Sequence, residues 1–91
     1  MNLNFKLQII FIREGRTVVA YCPALDLSSC GRNEEEAEKM FYEAASAFVE
    51  SCNERGVLDE ALEELGWARL GESSWTPPQV ISPPREISLS L

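Results

Sequence analysis

The side chains best suited to chemistry in this sequence are three cysteines, Cys22, Cys30 and Cys52, and fifteen carboxylates; there is no histidine. A cysteine nucleophile needs a neighbouring base, and no imidazole exists here to serve as one. An odd number of thiols at unrelated spacings supports neither a disulfide framework nor a zinc site. Cys22, beside Pro23, reads as a small apolar strand residue. Metal-assisted phosphodiester chemistry would need several carboxylates converging on the ions. Asp26 is alone in its turn, Glu14 lies at a hairpin tip, and the segment from Leu3 to Ile12 contains no acid. The glycines are scattered turn and cap residues, with no phosphate-cradling loop. No catalytic residue, metal or cofactor is expected, and the residues point instead to binding.

Charge is the next guide. The formal net charge is -7 over 91 residues. Eleven acids fall between Asn33 and Leu65 against only Lys39 and Arg55, a local balance of -9, while the remainder carries +2. That field opposes direct nucleic-acid binding, where phosphate neutralisation supplies most of the affinity. It suits either a solvated helix face or a basic protein partner. At 45% hydrophobic and 25% charged, the composition is that of a soluble globular domain. No apolar run approaches the roughly 20 residues needed to span a bilayer, and the first eleven residues alternate instead of forming a signal-peptide block. A cytoplasmic protein with no membrane contact is expected.

The elements that must position these residues follow from periodicity. Leu3, Phe5, Leu7, Ile9 and Phe11 alternate with largely polar neighbours, which predicts a strand over 3–12. Both faces become apolar towards its end, the mark of a central strand. Arg13-Glu14-Gly15-Arg16 closes a hairpin, and Thr17–Cys22 returns as a β-branched strand. Pro23 ends that pairing, and Leu25–Cys30 forms a third, weaker strand that stops at Gly31. Asn33 then caps a long helix, with Glu36 placed to reach back as in a capping box and Glu34 and Glu35 at the positive end of the dipole. Ala37, Met40, Phe41, Ala44, Phe48 and Cys52 share one face of it, and Gly56 ends it. A short second helix presents Leu58, Ala61, Leu62 and Leu65 and stops at Gly66. Residues 67–84 form a Pro-rich loop, with Trp67 and Trp75 over the end of the core. Ile87, Leu89 and Leu91 alternate as a last strand over 85–91. The expected fold is α+β in the order β-β-β-α(-α)-β, a single domain over 1–91. Residues 3–56 hold the sheet and main helix, and 57–66 the short helix. The sheet is small and mainly antiparallel, the long helix packs on one face, and the last strand lies parallel to the first.

Taken together, Cys22-Pro23-x-Leu25, a short strand ending at Gly31, and a helix opened by Asn33, Glu36 and Ala37 resemble the HicB antitoxin family over roughly residues 3–56. The family usually has Thr or Ser at the position of Asn33, which keeps the capping chemistry. The resemblance implies a partial ribonuclease H-like fold without nuclease activity. It also implies a protein that binds and neutralises a small basic mRNA-cleaving toxin of the HicA type, often as a dimer or higher homo-oligomer. Many such antitoxins carry a C-terminal helix-turn-helix or ribbon-helix-helix segment. Residues 67–91 are too short and proline-rich for either, so operator binding is not expected of this chain.

Two surfaces could serve a partner. Tyr42, Ala45 and Val49 form a second apolar line along the helix, which with Glu35, Glu38 and Glu50 would make a partner or subunit interface. The plainer alternative is that the second helix or the Trp-bearing loop folds over this line. An unpaired sheet edge is the other candidate. Three functions stay open: a toxin-neutralising antitoxin, an orphan binding module or homo-oligomeric scaffold, and a nucleic-acid regulator, which the charge disfavours.

Overall fold

The computed structural model describes residues 6–72 and 74–90. Its elements are β1 (Ile10–Glu14), β2 (Thr17–Cys22), β3 (Leu27–Gly31), α1 (Glu34–Glu54), α2 (Leu58–Glu64), β4 (Ala68–Arg69) and β5 (Trp75–Thr76). The first three strands form an antiparallel sheet in the order β1-β2-β3, and β4-β5 is a separate two-stranded ribbon. The α+β class, the antiparallel sheet and the order of long then short helix match the sequence reading.

Strand β2 occupies the centre, so β1, expected to be central, is an edge strand. It is also shorter at its start. Its register with β2 pairs Ile10 with Tyr21 and Glu14 with Thr17. Continued backwards, that register sets Gln8 against Pro23, which has no N–H to offer, so the ladder stops near Ile10. Leu7 and Ile9 pack against the core from outside the strand, while the expected strand positions Leu3 and Phe5 lie outside the described residues. At the other end β1 extends through Arg13 and Glu14, leaving Gly15 and Arg16 as a two-residue turn in which Gly15 has φ 62°.

Between β2 and β3 the chain turns over Pro23–Asp26. The Leu25 N–H donates to the Cys22 carbonyl at 3.3 Å, and the Asp26 N–H to the Pro23 carbonyl at 3.3 Å. Leu25 was expected in the third strand but is buried within this turn, and β3 runs from Leu27 to Gly31. Asp26 accepts a left-handed backbone (φ 48°) there, one of the few side chains suited to it.

Helix α1 lies on one face of the sheet. Val18, Ala20 and Cys22 of β2 meet Ala37, Phe41, Ala45 and Cys52 of α1, and Ala24, Leu25, Leu58, Leu62 and Trp67 extend the same core. The buried stripe is rotated by about 40° from the expected one at 100° per residue. Met40, expected inside, is 40% exposed, and Ala45 is buried in its place. Both helices end in the same motif. The Val57 N–H donates to the Cys52 carbonyl at 2.9 Å and Gly56 to Asn53 at 3.1 Å; Trp67 donates to Leu62 at 3.0 Å and Gly66 to Glu63 at 3.1 Å. The second motif aims Trp67 into the core, where its Nε1 donates to the Ala24 carbonyl at 2.7 Å and ties α2 to the β2–β3 turn.

The segment over 67–84, expected as loop, contains the β4-β5 ribbon, closed by Leu70 N–H to the Ser74 carbonyl at 2.8 Å. Arg69 holds it together. Its guanidinium donates to the Gly71 and Glu72 carbonyls at 3.1 and 2.9 Å, bridges to Asp59 at 3.2 Å, and lies 5.1 Å from the centre of the half-buried Trp75 ring. Further on, the Gln8 amide makes a reciprocal pair with Val80: Val80 N–H donates to Oε1 at 2.7 Å, and Nε2 to the Val80 carbonyl at 3.4 Å. The last strand expected over 85–91 is not paired among the described residues. Ile87 and Leu89 are each 80% exposed, and Leu91 lies outside them. Pro83 and Pro84 have no N–H with which to start such a ladder.

Candidate functional site: two exposed surfaces

Gly31, Asn33, Glu36 and Ala37 form the junction between the end of β3 and the start of α1, whereas Cys22, Pro23 and Leu25 lie at the other end of β3, where Cys22 pairs with Leu27. Asn33 has the extended backbone of a cap, and its Oδ1 accepts from the Glu36 N–H at 2.8 Å. The return bond differs from a standard capping box. Glu36 Oε1 accepts from the N–H of Arg32, one residue before the cap, at 3.1 Å. Glu36 Oε2 takes both Nε and Nη2 of Arg32 at 3.2 and 2.9 Å. The Arg32 guanidinium, with help from its own backbone N–H, holds the Glu36 carboxyl below the usual carboxylate range, and Glu36 in turn raises Arg32.

Gly31 explains why this junction is tight. A Cβ built there would lie 2.6 Å from the Ala37 nitrogen and 2.8 Å from two atoms of Glu36. Only a residue without a side chain lets the first turn of α1 descend so closely onto β3. Ala37 is fully buried beneath it; at the far end of the sheet Cys22 is fully buried as well, and Leu25 is buried in the β2–β3 turn. The seven positions therefore have structural work: cap, close approach and core.

The outer surface of α1 is the first place a partner could meet. Of the six residues marked out along it, Glu35, Glu38, Tyr42 and Glu50 are exposed, Tyr42 at 72%. Ala45 is buried in the chain's own core, and Val49 is partly buried against it, so these two face inward and leave the proposed apolar line. Tyr42 stands four residues beyond Glu38 and seven beyond Glu35, on one side of the helix. Glu43 and Glu54 of α1, and Asp59, Glu60, Glu63 and Glu64 around α2, are exposed as well. The result is an anionic surface with one aromatic ring standing out of it.

The second surface joins the unpaired sheet edge expected from the sequence to an open sheet face that went unnoticed there, although the late β1 residues gave the signal. The strand registers place Ile10 beside Tyr21 and Ser28, and Ile12 beside Val19 and Cys30, on the face turned away from α1. Ile12 is 42% exposed. At the edge of this face the Tyr21 hydroxyl donates to Asp26 Oδ1 at 3.0 Å, a bond that raises the tyrosine pKa because ionisation would break it. The outer edge of β1 has no ladder partner among the described strands.

Of the thiols, Cys22 and Cys52 are buried and Cys30 is exposed, all three unpaired. Among the described residues no group of three or more cysteine, aspartate or glutamate side chains is placed to hold a metal ion. No helix among them is long and apolar enough to cross a membrane. Comparison with protein-family models, with curated proteins and with solved structures finds no match to this chain.

Proposed function

We propose that this chain is a HicB-like protein-binding domain, not an enzyme, that captures and neutralises a small basic HicA-type mRNA-cleaving toxin in the cytoplasm. The observation that carries the reading is the exposed Tyr42 on the side of α1 that carries Glu35 and Glu38, with Glu50 about two turns further on, in an acid-rich helical surface. Anionic groups of this kind steer a cationic partner into encounter, and a protruding tyrosine supplies the desolvated anchor that charge alone does not. The seven motif positions add support through the order and spacing of turn, strand end and cap.

Neutralisation would be steric: the antitoxin covers the basic surface on which the toxin binds RNA. The test is whether the adjacent reading frame encodes a small basic protein and, with it, co-expression of that protein and this chain. Rescue of growth is expected with the unaltered chain, and Tyr42→Ala with Glu38→Lys should lose rescue while melting at an unchanged temperature. Rescue by that variant, or no toxic neighbour to rescue from, would refute the reading.

A second reading, a homo-oligomeric scaffold without a toxin, is favoured by one observation, the exposed Ile87 and Leu89 near the chain's end. In either reading the last strand over 85–91 belongs to an associated state. A crossover within one chain would set it parallel to β1.

A further inference from the structure

We infer that residues 85–90 form an exchanged arm that pairs antiparallel with the free edge of β1 in a second copy of this chain. Ile87 and Leu89 alternate with Glu86, Ser88 and Ser90, a strand pattern with one apolar face, yet both are 80% exposed. The free edge of β1 offers Ile10, Phe11, Ile12, Arg13 and Glu14. Antiparallel alignment of Ile87 with Ile12 sets Leu89 against Ile10, Arg85 against Glu14 and Glu86 against Arg13. Two apolar pairs then extend the open sheet face, and two opposite-charge pairs lock the register. A parallel alignment that sets Ile87 against Ile10 and Leu89 against Ile12 puts Arg85 and Glu86 opposite Gln8 and Ile9 and loses both charge pairs. The other free edge, on β3, reads Leu27-Ser28-Ser29-Cys30-Gly31 and has no charge to answer Arg85 or Glu86.

On its own β1 this register would stretch the chain taut. Val80 is tied to the side-chain amide of Gln8, and Arg85 is at most about 18 Å from Val80 along five extended residues. Gln8 to Glu14 spans about 20 Å at strand rise, and the Pro83-Pro84 pair shortens the reach to about 3.1 Å per residue through that stretch. In the single chain the arm stays off β1, with Ile87 and Leu89 each 80% exposed. Across a two-fold axis the geometry is satisfied. The Gln8 end of one β1 then faces the Glu14 end of the other, and two arms between them span three strand spacings, about 14 Å. The two three-stranded sheets become one continuous sheet, and both exposed β1 edges disappear. The inference goes beyond the toxin reading and does not require it.

The test is a cross-link backed by charge reversal, on the full chain with Cys30→Ser to remove the exposed thiol. Ile12→Cys with Ile87→Cys should oxidise to a covalent dimer on non-reducing electrophoresis, whereas Ile10→Cys with Ile87→Cys should not. Glu14→Arg alone should weaken self-association by about tenfold in sedimentation equilibrium, since each pair occurs twice, and adding Arg85→Glu should restore it. A monomeric chain, an intramolecular disulfide, preferential Ile10–Ile87 cross-linking, or failure of the paired reversal to restore association would each overturn the inference.

Discussion

Replacing Gly31 by Ala tests how the sheet and α1 are joined. A methyl group at this position would sit 2.6 Å from the Ala37 nitrogen and 2.8 Å from Glu36 Cβ and carbonyl carbon, where ordinary contacts begin at 3.4 Å. The blocking atoms include backbone of the first helical turn, so no rotamer change relieves them. The helix start must retreat by roughly 0.6–0.8 Å, drawing the buried Ala37 away from the sheet; overpacking of this kind costs about 1–3 kcal/mol. Against it stands the smaller entropy of an unfolded alanine, about 0.4–1 kcal/mol in favour of the variant. The balance is a loss of roughly 1–2 kcal/mol, or a Tm lower by about 5–15 °C for a domain of this size. Gly71 is the control, because a Cβ there meets nothing within 4 Å. Thermal melts followed by circular dichroism at 222 nm should separate the two variants. An unchanged or raised Tm for Gly31→Ala would refute the close-approach reasoning.

Other perturbations address the same junction and the core. Asn33→Ala removes the Oδ1 acceptor of the Glu36 N–H and should cost about 1 kcal/mol in urea unfolding, whereas Asn33→Ser should cost a few tenths. Glu36 has a depressed folded pKa, so its stabilisation is present at neutral pH and is lost as pH falls through that lowered value. Glu36→Gln should therefore lower Tm at pH 7 and lose that difference as pH falls below the ordinary carboxylate range; a difference constant with pH would contradict the Arg32 pairing. Trp67→Phe keeps an aromatic ring but leaves the Ala24 carbonyl without its buried donor, for a loss of about 1–3 kcal/mol by denaturant titration. A change within the error of the titration would show that water replaces the indole there.

What the sequence revealed was what local chemistry decides. The Asn33 cap, the β2 strand with its β-branched run, and the Gly56 and Gly66 stops depend on residues within a turn of one another, and all lie where periodicity and cap rules put them. The extent of β1 depends on its partner: the alternation starting at Leu3 is real, but β2 ends at a proline and withdraws the ladder. Ala45 and Val49 turned inward because α2 and Trp67 widen the core on that side, a tertiary fact that a single helix pattern does not contain. Glu36 was legible as a capping residue, yet the Arg32 side chain moved its return bond one residue outward. The two-residue β4-β5 ribbon is too short to leave a period and depends on Arg69 gathering two carbonyls, Asp59 and the Trp75 ring. On the candidate surface Glu35, Glu38, Tyr42 and Glu50 are exposed, whereas Ala45 and Val49 are not. The open sheet face was hinted at only by Ile10 and Ile12, which also suited a central strand.

The proposal that this is a protein-binding domain rests on partners meeting the Tyr42 surface. Native mass spectrometry of the purified chain mixed with any small basic protein that the adjacent reading frame encodes tests it most directly. A stoichiometric complex that survives desalting, and that Tyr42→Ala with Glu38→Lys abolishes while leaving the free chain folded, is the expected result. Spectra containing only the free species at micromolar concentration, or a complex indifferent to that double variant, would contradict it.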